Sequence, residues 1–573
     1  MVISVTREHK ETKKNEHGLA PLRATLLAIN AKYVHSSLAV RFLAAGTAMY
    51  SKTKHNISVM ESTINQDMND IAELVYRGNP DLIGISTYIW NAGMLPDLLN
   101  LIRRRLPFVK IVLGGPEASY NPEYWLRSGA DYVLRGEGEH SFPALLDTLS
   151  GNKAEKLQGI SGLCYRENGK LNINGLTSLP DEYLDPYDDE YLAALNGRIA
   201  YIEASRGCPF RCTYCLSGSP AHKSGNRVRF FPLDAVKKQI DMLSKSGTQT
   251  VKFVDRTFNC NPERAFDIFE YVIGLNTGCC FHFEAAADLF DERTISLLGT
   301  AAPGRIQLEI GLQSFHMPAL DAVSRKTDPE KAEKAIKKLL SPQNIHVHID
   351  LIAGLPLETL SDFKDSFDRA YALKAHTLQL GFLKLLHGSA LRAQAEALGI
   401  VYQNEPPYEI TSSSWLSEHE LSILKHTENA LQHTYNKSRF LSVLQYVLTV
   451  SGMRPFELFY GLGAAAPSHA SPLKDYAAKV YNYCAGLPNV KERELRDLMI
   501  CDILGATKGK SMPDFLKGRG EKRKSAANTA NRLLGRTTDY DESAVLSSGR
   551  GVCVDSVNRH PVTGLYGLIF FRI

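Results

Sequence analysis

The chain contains no apolar stretch of 18 or more residues, so no transmembrane helix is expected. Its first 20 residues are polar and charged, lack the apolar core of a signal peptide, and read as a disordered arm. Charge of one sign is also missing. A net charge of +4 over 573 residues is too small to argue for nucleic acid or membrane as a partner. Nor is there a disulfide framework: ten cysteines in so long a chain point to a reducing, cytoplasmic setting. With 44% hydrophobic and 22% charged residues the composition is that of an ordinary globular protein, and the length suggests three or four domains.

Against these absences, one run stands out: Glu203-Ala204-Ser205-Arg206-Gly207-Cys208-Pro209-Phe210-Arg211-Cys212-Thr213-Tyr214-Cys215. The spacing is C-x3-C-x2-C, and an apolar strand at 199–202 leads into it. Three thiolates on one short loop can hold a [4Fe–4S] cluster by three irons and leave the fourth open to a ligand. A C-x2-C pair also suits zinc, which wants four ligands, and His222 lies close enough in sequence to be the fourth.

The surrounding pattern is α/β. Residues 21–150 alternate apolar strands (22–29, 57–61, 81–86, 109–113, 131–134) with helical segments, which implies a doubly wound parallel sheet. Ligands of such sheets sit at the carboxyl ends of the strands. The loops there include Asn30 to Ser36, Ser86-Thr87-Tyr88, Gly114-Gly115-Pro116-Glu117 and Arg135-Gly136-Glu137-Gly138-Glu139. Paired glycines let a backbone approach a bulky ligand, or simply make a tight strand-to-helix turn. Residues 151–195 read as a linker with a short hairpin at 162–173. Residues 196–400 repeat strand then helix six times, with strands at 199–202, 251–254, 282–285, 306–310, 346–352 and 377–381, as in a partial (β/α)6 TIM-like barrel. The cysteine loop follows the first of these strands, at the end where barrel chemistry resides.

The cysteine run, with Tyr214 inside it and the strand-helix repeat behind it, resembles that of the radical S-adenosylmethionine (SAM) enzymes. The resemblance implies that Cys208, Cys212 and Cys215 hold the cluster, and that the open iron chelates the amino and carboxylate groups of SAM. One electron then cleaves SAM to methionine and a 5′-deoxyadenosyl radical. The runs Gly311-Leu312-Gln313-Ser314-Phe315 and Asp350-Leu351-Ile352-Ala353-Gly354-Leu355-Pro356 are similar to strands of the oxygen-independent coproporphyrinogen oxidase branch. That likeness implies that Glu284, Gln313, Arg325 and Asp350 surround SAM. Carboxylates and amides accept bonds from its ammonium and hydroxyls, and an arginine suits its carboxylate.

The first 150 residues, through Gly114-Gly115-Pro116 and Gly136-Glu137-Gly138-Glu139, resemble the cobalamin-binding domain that precedes many radical SAM domains. The implied corrinoid contacts include Ser86, Gly114, Gly115 and Glu137. The loop after the first strand has His35 but neither the Asp nor the Gly of D-x-H-x-x-G, so His35 is not expected to ligate cobalt and reads as a surface or capping residue.

Residues 401–573 are helix-rich, then basic at 517–524, then β-like at 552–557 and 565–571. The basic run reads as a solvated loop, with an acidic partner as the alternative. This region resembles the uncharacterised C-terminal part that accompanies such proteins, and the remaining cysteines show no ligand spacing. The expectation is a cobalamin-dependent radical SAM enzyme that works without oxygen and draws electrons from a flavodoxin or ferredoxin. It would methylate or rearrange an unidentified substrate, and its catalytic residues are not readable. The alternatives are a porphyrin-modifying oxidase or cyclase and a non-catalytic iron–sulfur protein. A tRNA methylthiotransferase is excluded, because the first cysteine of the chain is Cys164, beyond the first domain.

Overall fold

The computed structural model describes residues 20–151, 156–177, 183–218, 228–466, 472–509, 512–517, 521–537 and 539–573. The N-terminal arm and His222 lie outside them. No described helix is long and apolar enough to cross a membrane.

The first sheet is built from β1 (Arg23–Asn30), β2 (Asn56–Thr63), β3 (Leu82–Ser86), β4 (Lys110–Gly114), β5 (Tyr132–Leu134), β6 (Leu163–Glu167) and β7 (Lys170–Ile173). The strand order is β2-β1-β3-β4-β5-β6-β7. Strands β1 to β5 are parallel, and the hairpin β6–β7 adds to β5 antiparallel. Side chains alternate between two cores, as a period of two requires. Leu27, Ile29, Ile83, Ile85 and Leu113 pack on one face. Ala24, Leu26, Ala28, Leu82 and Val112 pack on the other. Both faces are covered, so β1 and β3 read as apolar runs rather than as alternation. The chain reverses direction across the sheet between β1 and β3, which opens a crevice at their carboxyl ends.

The second sheet is an open barrel. Its strands are β8 (Ile199–Ile202), β11 (Thr250–Phe253), β12 (Cys280–Ala285), β13 (Ile306–Gln313), β14 (His346–Ala353) and β15 (Thr377–Phe382), with a two-stranded ribbon of β9 (Ser205–Arg206) and β10 (Arg229–Phe230) beside the cysteine loop. The order β15-β14-β13-β12-β11-β8 is parallel throughout. In β13 the residues Ile306, Leu308, Ile310 and Leu312 are buried under helices, whereas Gln307, Glu309, Gly311 and Gln313 line the inside. The same alternation holds in β14. The helices are started by short polar caps: Asn261, Asp291 and Asp328 each accept a backbone N–H of the helix that follows, and Thr359 forms a capping box with Asp362.

After the barrel come the ribbon β16 (Val401–Tyr402) and β17 (Ile410–Ser412) and the helices Glu418–His433, Leu441–Ser451, Pro455–Ala465, Leu473–Ala485, Glu492–Thr507 and Glu521–Leu534. The antiparallel sheet of β18 (Ser543–Val545), β19 (Arg550–Arg559) and β20 (Tyr566–Arg572) follows them. The first five of these helices share one apolar core with the barrel, while Ala526 and Ala530 of the sixth pack against Cys553 and Phe571 in a separate cluster. Phe367 of a barrel helix meets Phe456 edge-on at 5.5 Å, and Tyr371 meets Phe459 at 5.4 Å.

Candidate active site

The cysteine loop is anchored before and within the triad. Before it, the buried Asp255 at the end of β11 accepts the Ala204 N–H at 3.0 Å and the Ser205 hydroxyl. Burial pushes this carboxyl up to about 7, against the pull of those two donors. Within it, the Thr213 N–H donates to the Val323 carbonyl at 2.9 Å. Cys212 is buried, Cys208 and Cys215 are half-buried, and none forms a disulfide. Burial raises the Cys212 thiol, while Arg325 and the Tyr214 hydroxyl pull it down.

The donor set fits a cluster better than a single ion. Among the described residues only Glu309, His348 and Asp350 bring three metal-donor atoms within 4.8 Å of one another. The three sulfurs do not gather within that distance, as the shell of one zinc would require.

Of the four expected SAM residues, Arg325 meets this loop, and Gln313 lies at the end of the strand whose Gly311 carbonyl Arg325 binds. Arg325 donates to the Gly311 carbonyl at 2.8 Å, stacks on Phe210 at 5.3 Å, and brings its guanidinium to 4.0 Å from the Cys212 sulfur. Gln313 has a positive φ of 71°, beside an irregularity in the β13–β14 register. Its amide folds over Gly311, where an added Cβ would lie 2.1 Å from Nε2. The other two sit deeper on the inner face. Glu284 is 3.4 Å from Lys252. Asp350 approaches His348 to 3.0 Å without hydrogen-bond alignment, and both facing atoms are buried without a partner among the described residues.

Sequence spacing gave no sign of the residues that join them. Lys252 reaches Glu309 at 3.0 Å, and His282 reaches the same carboxylate oxygen at 2.8 Å. Burial works to raise the Glu309 carboxyl, but His282 and Lys252 outweigh it and hold it well below the usual range. Cys260, dismissed on spacing, lies close enough to Cys208 for its thiol to be raised to about 11, first by burial and then by that neighbour.

The loops at the carboxyl ends of the first sheet face this side of the barrel. His35 hydrogen-bonds Tyr201 of β8 at 2.7 Å, so it is an interdomain residue rather than a surface one. Glu137 is held by Arg206 at 2.7 Å and by Arg229. Arg206 also reaches Glu139 at 2.7 Å and Glu203 at 2.8 Å. Glu117 accepts the Tyr408 hydroxyl at 2.9 Å. Ser86 closes β3 and Gly114 closes β4. At the crevice between β1 and β3, Tyr88 stacks on Trp90 at 4.2 Å, and Trp90 stays 43% exposed. An exposed aromatic shelf at the strand ends suits a large flat ligand such as a corrinoid. Gly115 has a reason of its own: φ is +96° and a Cβ would lie 2.6 Å from the Thr87 carbonyl oxygen, so the turn requires glycine with or without a ligand.

Three family models match the chain: the B12 binding domain over residues 24–146, the radical SAM superfamily over 202–370, and a protein family of unknown function (DUF4080) over 396–547. An uncharacterised methyltransferase of Pyrococcus horikoshii is 26% identical over 54% of this chain and 68% of its own length. The cobalamin-dependent radical SAM methyltransferase TokK of Streptomyces tokunonensis is 24% identical over 50% of this chain, and the match spans 44% of TokK. Among solved structures, the cobalamin-dependent SAM radical enzyme OxsB with aqua-cobalamin superposes with a TM-score of 0.61 at 15% identity, over 84% of this chain and 79% of that one, and shares its fold. The cluster, SAM and cobalamin expected from the sequence are the cofactors of the first two domains. The chain is a radical SAM enzyme with an N-terminal cobalamin-binding domain, and it carries behind these a C-terminal domain whose family has no known function.

Proposed function

We propose that this chain is a cobalamin-dependent radical SAM methyltransferase that adds a methyl group to a carbon of a substrate held inside the barrel. One observation carries the reading. The strand-end loops of the cobalamin-type sheet and the cysteine loop of the barrel meet across a single interface, through His35–Tyr201 and Arg206 with Glu137 and Glu139. Bound there, a reduced cluster with SAM would supply homolytic cleavage, and cobalamin would supply a methyl carrier.

The chain's own residues bind and orient. Cys208, Cys212 and Cys215 are the cluster ligands in this reading. Arg325 offsets the thiolate charge beside Cys212 and presents the rest of its guanidinium to the SAM carboxylate. Gln313 offers an amide at the same level, and Glu284 and Asp350 accept donors deeper in the barrel. Ser86, Gly114 and the Tyr88–Trp90 shelf form the cobalamin crevice. Glu137 ties that crevice to the cysteine loop rather than touching the corrinoid. A one-electron donor of the flavodoxin or ferredoxin class supplies the electron.

The test is anaerobic reconstitution with iron, sulfide and hydroxocobalamin, followed by reduction in the presence of SAM. Wild type should bind about four irons per chain and release 5′-deoxyadenosine. Cys212→Ala should lose both properties. Arg325→Ala should bind SAM roughly ten- to a hundredfold more weakly, as expected when a charge-assisted contact of about 1.5–3 kcal/mol is lost. Full iron and SAM cleavage in Cys212→Ala would sink the cluster assignment, and a wild type that retains no cobalamin through gel filtration would sink the methyl-transfer reading.

A further inference from the structure

The C-terminal domain, which the proposed chemistry does not use, has a cavity lined by basic side chains. Where the start of helix Glu492–Thr507, the start of helix Glu521–Leu534 and the turn after β18 converge, a cavity of about 350 Å³ is lined by Arg493, Arg496, Lys522, Arg523, Val545, Leu546 and Ser547. Four cations face it and, among the described residues, no acidic side chain does. The acids of the same helix starts, Glu492, Glu494 and Glu521, are exposed and not part of the lining.

Two of the cations are fixed by partners, and the other two have none among the described residues. Arg496 donates to the carbonyls of Leu516 at 3.1 Å and Val545 at 3.3 Å and pairs with Asp497. Asp497 in turn accepts the Ser547 N–H at 2.9 Å and its hydroxyl at 3.0 Å, which sets the wall of the cavity. Arg523 is held by Asp541 at 2.8 Å and lies over the Tyr540 ring. Asp497 and Asp541 thus answer Arg496 and Arg523. Among the described residues, no hydrogen bond or ion pair engages the side chains of Arg493 or Lys522, both exposed at the rim. Like charges gathered round one cavity repel unless an anion fills it.

We propose that this cavity binds the phosphate or diphosphate group of a small phosphorylated molecule. Two uncompensated cations match a dianion, and the forked guanidiniums suit the several oxygens of a phosphate better than a single carboxylate. Val545 and Leu546 give an apolar wall for the organic part. A nucleic-acid backbone would need a track of cations well beyond one cavity. The site is independent of the cofactors and of the proposed methyl transfer.

The test is calorimetry on the full chain in phosphate-free buffer at fixed ionic strength, titrated separately with inorganic phosphate, pyrophosphate and phenyl phosphate. Saturable binding of at least one of them is expected, weakened about tenfold or more in the double variant Arg493→Ala/Lys522→Ala. That variant should keep the wild-type unfolding temperature and SAM cleavage, because both side chains are exposed. Lys331→Ala/Lys334→Ala, on a distant helix, should bind like wild type. Tighter binding of phenyl phosphate than of inorganic phosphate would assign an organic ester, and the reverse would assign free phosphate. Absence of saturable heat, or equal binding by the Arg493/Lys522 variant, overturns the site. So does a short single-stranded RNA that outcompetes all three probes and loses its binding in that variant.

Discussion

Glu358 shows how a single buried side chain can set a pH limit. It follows the Gly354-Leu355-Pro356 turn, is fully buried, and is engaged by the Ser314 hydroxyl, with Ser366 at 3.5 Å. Ser314 follows Gln313 at the end of β13, so this carboxyl braces that strand end. Burial pushes it up to about 8, and its second oxygen has no partner among the described residues. The folded form therefore holds a proton that the unfolded chain releases near the ordinary value of 4.5. Between those two values the folded state binds more protons, so this group's contribution to stability falls as pH rises and is lost above about 8. Glu358→Gln removes the charge and keeps the shape. The variant should lose less stability than wild type between pH 6 and pH 9, by about 1–3 kcal/mol, the usual penalty of an unsatisfied buried polar group. Thermal unfolding at the two pH values reads this directly, and parallel pH profiles for the two proteins would show that Glu358 stays ionised in the fold.

Elements explain what could be read from the chain and what could not. The strands of both sheets are legible to within a few residues because burial writes itself locally, as apolar runs in β1 and β3 and as alternation in β14. The end of β13 was not. It runs to Gln313, past the expected residue 310, through a register irregularity that ends on a left-handed residue, neither of which periodicity signals. The cysteine triad is a local spacing and so is visible in sequence, whereas the partners of Lys252 lie on two other strands and become neighbours only through register. The Arg206 node is the extreme case, joining β9 to a loop 69 residues earlier. Its side chain is 18% exposed and faces three carboxylates, with Phe42 at 4.8 Å on one side. Arg206→Ala leaves Glu139 and Glu203 with uncompensated charge and Glu137 with Arg229 alone, and should cost about 3 kcal/mol, the low end for a broken buried pair. Arg206→Lys should recover only part, because one ammonium cannot span three carboxylates as a planar fork does. Denaturant titration of the two variants checks this, and full rescue by lysine would reduce the node to a simple charge.

At the scale of the whole molecule, the two interfaces of the barrel differ in kind, and that predicts how the chain unfolds. The C-terminal helices continue the apolar core of the barrel, from Phe283 and Phe367 through Phe456 to Leu504. The first domain keeps two separate cores of its own. It meets the barrel largely through polar contacts: Arg206 with Glu137 and Glu139, His35 with Tyr201, Arg198 with Glu61 at 2.6 Å, and Tyr408 with Glu117. A shared core makes two parts cooperative, whereas a polar interface lets domains melt apart. Calorimetric unfolding should therefore show two transitions, one for the first domain and one for the barrel with its C-terminal helices. A ligand that binds only the folded first domain stabilises that domain alone. Hydroxocobalamin at a hundred times its dissociation constant should add about 2.7 kcal/mol to the first-domain transition. Leu458→Ala, inside the shared core, should lower only the other transition, by about 2–5 kcal/mol. A single transition moved equally by the ligand and by the substitution would mean that the polar interface couples the domains as tightly as a shared core does.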